Sequence, residues 1–239
     1  MTLTHRCTAT WLLAAVVVAA NGCGSILNTG GLGPLDTETV IAGLKEALKI
    51  GTDRTVVSTA KQDGFWGNAL IRIVMPEELK GMAGTLRDIG LGGQVDQFEL
   101  AMNRSAEQAA GLAAPVFWDA ITKLSFADAW GILNGHDSAA TIYFRALTAT
   151  ALAAQFRPKV QEQMQQAGLY RVYHQLLLAY DALPLVSKPA FNLDAYITDR
   201  ALAGLFTVLA GEEKRIRDDP LARTTDLLRR VFSSDRARG

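Results

Sequence analysis

The chain has 239 residues, of which 49% are hydrophobic and 20% charged, with 24 basic side chains against 24 acidic ones. That profile excludes a disordered or fibrous chain, and the even charge balance removes the general attraction to phosphate backbones on which nucleic-acid binding rests. A chain this long can bury a core without disulfides or metals.

The first residues read as an export leader. Trp11 to Ala20 is an unbroken apolar run, WLLAAVVVAA. Ten residues of helix rise only about 15 Å, half a bilayer core, which suits a signal peptide and not a membrane span. Two cuts are open. Val18-Ala19-Ala20 offers small residues to an ordinary signal peptidase. Ala20-Asn21-Gly22-Cys23 resembles the lipobox of bacterial lipoproteins, although Ala20 stands where that pattern has a bulky aliphatic residue. The second reading makes residues 1–22 a lipoprotein-type signal peptide and Cys23 an acylated mature N-terminus. Cys7 leaves with the leader either way, so no internal disulfide can form. Gly24 is not the aspartate of the inner-membrane retention pattern. The resemblance thus implies an outer-membrane lipoprotein facing the periplasm, where two acyl chains give stable anchoring. Residues 23–36, rich in glycine, then read as a short flexible tether.

Residues 37–232 carry helical periodicity and are expected to form one all-α domain, an irregular bundle of about nine or ten helices. Val40, Ile41, Leu44 and Leu48 share a face, with a stop expected at Gly51 and a separate helix up to Gly64. Ala69 to Met75 is strand-like but too short and isolated to build a sheet. Pro76 opens the next helix and Gly90 lies beyond its last turn. Val95, Phe98, Met102, Ala106 and Ala109 form one face of the helix after Gly90 to Gly93. Pro115 and then Ser125, with Asp128 three residues on, suggest two further starts.

The stretch ILNGHDSAATIYFR, Ile132 to Arg145, concentrates a histidine, an aspartate, hydroxyls and an arginine around Gly135. It reads as a helix corner, with Asn134-Gly135 as a left-handed stop and Asp137 as the cap of the next helix. That helix is expected to run about five turns to Phe156, and Arg157-Pro158 to start another. Asn192 is expected to cap the longest helix, and Asp219-Pro220 to introduce the last. Residues 233–239 read as a disordered basic tail, partly offset by Asp235.

No reaction motif accompanies these elements. There is no Gly-x-Ser-x-Gly elbow, and Gly90 to Gly93 follows a helix without the Gly-Lys-Ser/Thr of a phosphate loop. His136 and His174 are not at zinc spacing, so no metal is expected. His136, Asp137 and Ser138 are consecutive, and their side chains diverge too far for a relay. Asp96, Glu99, Asn103 and Glu107 make a polar stripe that could hold a divalent ion through oxygen ligands but reads first as a solvated helix face. The aromatic residues read as core, with lining of a pocket for an apolar ligand as the alternative. Arg145 is expected to pair with Asp128 or Asp137, and Asn68 and Arg72 sit among apolar neighbours where a polar group needs a partner.

Taken together, DGFWGNALIRIVMPEEL, LRDIGLGGQVDQFELAMNRSAEQAA, FADAWGILNGHDSAATIYFR and GLFTVLAGEEKRIRDDPLARTTDLLRRVF resemble the bacterial envelope family catalogued as domain of unknown function 4197. The likeness runs from about Thr39 to Phe232. It implies an exported, all-helical protein, often with a lipoprotein leader, and brings no reaction, cofactor or catalytic residue. Its distinctive polar positions fall on Asn68, Arg72, Arg87, Asp96, Asn103, Glu107, Asp128, Asn134, Asp137, Thr141, Tyr143 and Arg145. They are candidates for a buried polar network or a ligand site. The expected role is a non-enzymatic binding or structural module, partnered by the membrane through its lipid and by an envelope protein or apolar ligand. The alternative is a periplasmic enzyme with a polar or acidic site on the helices around 96–107 and 134–145.

Overall fold

A computed structural model describes residues 34–184, 186–187 and 189–233. The expected leader, Cys23, most of the tether and most of the basic tail lie outside these residues. Among the described residues the fold is all-α, with nine helices, a single 3-10 turn and no strand. No helix among them is long and apolar enough to cross a membrane.

Helix α1 spans Thr37–Thr59, and the Asp36 carboxylate caps it by accepting from the Thr39 amide at 2.6 Å. It runs straight through Gly51, where a stop was expected. Gly51 is buried, and a β-carbon there would lie 2.8 Å from Leu209 Cδ1. The glycine serves close approach of two helices, and that packing outweighs its weak helix propensity. Helix α2 (Glu77–Asp88) follows Pro76 and ends where Gly90 turns left-handed at φ 86°. Helix α3 (Gly92–Ala110) buries Val95, Phe98, Met102, Ala106 and Ala109, the face its spacing marks.

Helix α4 covers Ala113–Lys123 and the short α5 covers Ala129–Leu133. Ser125 does not cap α5. Asp128 does, accepting from Gly131 N at 2.7 Å, in a space that any β-carbon on Gly131 would fill. Helix α6 (Ala139–Gln166) continues through Pro158 instead of ending at Phe156. Its buried face repeats every four residues on both sides of the proline: Leu152, Phe156, Val160, Met164. Continuous burial of that stripe offsets the hydrogen bond that proline cannot donate.

Helix α7 (Leu169–Asp181) starts after Gly168, at φ 70°. Helix α8 (Leu193–Asp218) is capped by Asn192, which accepts from Ala195 N at 3.0 Å. The 3-10 turn Pro220–Ala222 and helix α9 (Asp226–Phe232) close the domain. Helix α8 is the central member, packed against α1, α3 and α6. At the core Phe117 of α4, Phe144 of α6 and Phe206 of α8 meet with ring centroids 5.3–5.8 Å apart.

Candidate functional site

The polar side chains gather into two clusters. The first holds the corner between α5 and α6. The opening amides of α6 face α8, where the buried Glu213 carboxylate receives them: Oε1 accepts from Ala140 N at 3.0 Å, and Oε2 from Thr141 N at 2.7 Å and from the Thr141 hydroxyl at 2.6 Å. One turn further along α8, Arg217 donates to the last carbonyls of α5, those of Leu133 at 2.6 Å and Ile132 at 3.0 Å. Arg217 also pairs with Glu213, Nε to Oε1 at 2.9 Å. An anion thus sits at a helix start and a cation at a helix end, each satisfying groups that have no partner within their own helix.

A second arginine extends this cluster. Arg223, 4% exposed, donates to the carbonyls of Ile216 and Arg217 and to the Ser233 hydroxyl. That ties the end of α8 to the end of α9.

Asp137 therefore does not cap α6, contrary to expectation. It is exposed and bound by Lys214 at 2.5 Å, and that bond holds its carboxyl below the usual range while Asp137 and Asp218 push the ammonium up. Nor is the Asn134-Gly135 stop left-handed: Asn134 has φ −85°. A β-carbon on Gly135 would lie 2.9 Å from that of Ala139, so close packing selects the glycine. His136 lies 3.4 Å from the Ser138 hydroxyl, while Asp137 turns away to Lys214.

The second cluster anchors the segment between α1 and α2. Asn103, fully buried on α3, accepts from Ile73 N and donates to Ile73 O, both at 2.8 Å. One side-chain amide thereby gives an extended segment the two bonds a neighbouring strand would supply. Ile71, Ile73 and Met75 point inward and Leu70, Arg72 and Val74 outward, a period of two without a sheet. Four residues on from Asn103, Glu107 accepts from the amides of Phe65 and Trp66, each at 3.1 Å. Arg104 joins Glu107 at 2.6 Å and Asp63 at 2.8 Å. The expected solvated stripe is thus solvated only in part: Asn103 and Glu107 are buried, and Asp96 pairs on the surface with Arg87 at 2.9 Å.

The remaining candidates stand apart. Asn68 accepts from Leu70 N on its side chain and from Ile71 N and Arg72 N on its carbonyl, forming the turn that leads into the extended segment. Arg72 lies over the Trp66 ring, 3.4 Å from its centroid. Tyr143 donates to Ser125 O at 2.9 Å and stacks on Phe126. Arg145 does not pair with Asp128 or Asp137. It lies over the Phe206 ring at 5.7 Å, and the two acids serve Gly131 N and Lys214. The acidic group of 96–107 and the polar group of 134–145 each bind their own surroundings, so the gathering that an enzyme at these residues needs does not form. Among the described residues no three histidine, cysteine, aspartate or glutamate side chains are placed to share a metal ion.

Sequence reasoning passed over Glu213, Arg217 and Arg223. A local signal existed for Glu213. It falls in the apolar stripe Leu205, Leu209, Ile216 of α8, where an acid must find a partner.

Open space lies elsewhere. A groove of about 320 Å³ runs between α4 and α6, with Ala120, Leu124, Leu147, Ala151 and Leu152 on its walls and Lys123 and Gln155 among its polar groups.

A family model described as "Protein of unknown function (DUF4197)" matches residues 34–233. No curated protein and no solved structure matches the chain.

Proposed function

The chain belongs to the DUF4197 family, and we propose that it is an exported, lipid-anchored module of the bacterial envelope that works by binding and not by catalysis. The observation that carries the second half is how the polar residues are employed. Asn103, Glu107, Thr141 and Glu213 are buried, and their hydrogen bonds hold backbone segments in place. A general acid or base needs instead to face a substrate. The α4–α6 groove is the feature suited to a partner: its apolar walls offer burial to a hydrophobic group and its polar members fix orientation.

The anchor rests on the sequence. The run Trp11 to Ala20 followed by Cys23 fits export and acylation, Gly24 fits delivery to the outer membrane, and the glycine-rich stretch before Asp36 supplies reach. In this reading the domain faces the periplasm, with an envelope protein or an apolar ligand as its partner.

Fractionation of native cells with mass spectrometry of the mature N-terminus tests the anchor. The expected product is an acylated Cys23 peptide in the outer-membrane fraction, with Cys23→Ser released from it. An unacylated soluble chain beginning at Asn21 would overturn the anchor. Copurification from that envelope tests the binding role. A hydrophobic lipid or protein retained by the native chain, and lost on Ala151→Trp, which fills the groove, supports it.

A further inference from the structure

The extended segment and α8 enclose a second, smaller pocket, of about 140 Å³, lined by Arg72 and Leu70 on one side and Arg200, Ala203 and Thr207 on the other. We propose that this pocket binds a phosphate group, with Arg72 and Arg200 as its two cations.

Three observations carry the proposal. Both arginines are set against an aromatic ring: Arg72 lies 3.4 Å above Trp66, and Arg200 lies 5.3 Å from the Tyr196 ring. A guanidinium held by its face keeps its N–H edge free, in the fork geometry that matches the oxygens of a phosphate. The Tyr196 ring is itself tied down, its hydroxyl donating to Val74 O at 2.8 Å, and the backbone that carries Trp66 is held through its amide by Glu107. Preorganisation of this kind lowers the cost of binding.

Charge is the second observation. The lining residues include two arginines and no acid. Asp63 and Glu107, which binds the Trp66 amide, share one cation, Arg104, and neither lines the pocket. Asp199 precedes Arg200 in the chain but does not line the pocket. Two fixed positive charges with no internal counterion favour a doubly charged oxyanion over a carboxylate.

The third is size and rim. At roughly 30 Å³ per liquid water, the pocket has room for a few waters or one phosphate group, and none for a nucleotide. Of the lining, Leu70 is 82% exposed, and Val74, two residues beyond Arg72, is 53% exposed. They give apolar cover to whatever chain the phosphate carries. The shared chemistry is that of a dianionic phosphate group, which reaches the pocket either as a free anion or as the monoester headgroup of an anionic lipid. This site does not depend on the acylation of Cys23.

The test uses the full chain in a neutral detergent, titrated with inorganic phosphate and followed by phosphorus NMR line broadening and by tryptophan emission. A second arm presents the chain to phosphatidylcholine vesicles with and without phosphatidic acid. Saturable binding in either arm is expected, weakened about tenfold or more by Arg72→Gln and by Arg200→Gln, the scale of one charge-assisted hydrogen bond. Arg87→Gln, which is not among the lining residues and is paired with Asp96, should bind as the native chain does. Binding to phosphate in solution assigns a free anion, and binding confined to phosphatidic acid vesicles assigns a lipid headgroup. Absence of binding in both arms overturns the site, as does binding that both glutamine variants retain.

Discussion

Glu213 and Thr141 lie 72 residues apart and are joined twice, the carboxylate Oε2 of one accepting from both the amide and the hydroxyl of the other. The same carboxylate holds Arg217, whose guanidinium closes α5. The corner between two helices is thus built by a third helix. Removing the acid takes the counterion from Arg217 and the acceptor from two buried amides together. We expect Glu213→Ala to lower stability by about 3–5 kcal/mol, as for the loss of one partner of a buried pair. Asp137→Ala, which removes an exposed ion pair with Lys214, should leave the urea midpoint nearly unchanged. Denaturant unfolding followed by circular dichroism compares the two. A large loss for Asp137→Ala and a small one for Glu213→Ala would restore Asp137 as the cap.

Local structure was legible where its cause is local. Asn192 and Gly90 act within a few residues of themselves, and the sequence spacing located both. The face of α3 was equally plain, because burial follows helical period. The errors arose where a distant helix decides. Gly51 and Pro158 look like breaks, yet the packing of α8 on α1 and the unbroken stripe of α6 carry the helices through. Asp137 sits where a cap belongs, but Glu213 reaches the amides from α8. Asn103 was identified as distinctive and its role misread, since a partner in an irregular segment leaves no period in the sequence. The candidate set therefore included residues of the two networks but missed Glu213 and Arg217, the pair that organises one of them.

Two glycines separate close packing from chain flexibility. A β-carbon on Gly204 would lie 2.5 Å from Phe65 Cε1 and 3.3 Å from Ile71 Cβ. Phe65 cannot withdraw easily, because its side chain is fully buried in the core. Gly204→Ala is expected to cost about 1–3 kcal/mol, as in an overpacked core. On Gly51 the same atom would crowd the end of Leu209, with Glu212 Cβ at an ordinary contact distance of 3.6 Å. The Leu209 side chain can yield, and alanine gains about 1 kcal/mol of helix propensity over glycine. Gly51→Ala should therefore be close to neutral. Thermal unfolding of both variants decides the order, and equal losses would show that Leu209 is as immovable as Phe65.

Asn103 predicts a local opening. Asn103→Ala leaves Ile73 N and O without partners, at about 1–3 kcal/mol for each buried group left unsatisfied. Asn103→Asp keeps the acceptor for Ile73 N but sets a charged oxygen against Ile73 O. In both variants hydrogen exchange should accelerate in residues 65–75, while the start of α6, held by Glu213, stays protected. Uniform acceleration across the domain would mean that the segment unfolds only with the whole.

Tyr170 gives the domain an alkaline limit. Burial, reinforced by its 2.8 Å bond to Asp194, pushes the phenol up to about 12, against 10.0 for an exposed one. The raised value means that the folded state keeps a proton the unfolded state gives up. The resulting stability is fully present below pH 10 and is lost as pH rises toward 12. Tyr170→Phe removes both the hydrogen bond and the titration. It should be less stable than the native protein at neutral pH and lose less on passing through the alkaline window. Burial also raises Tyr173, so part of the slope should survive in the variant. Urea midpoints measured across this range check the sign, and a native protein whose midpoint rises with pH there would contradict it.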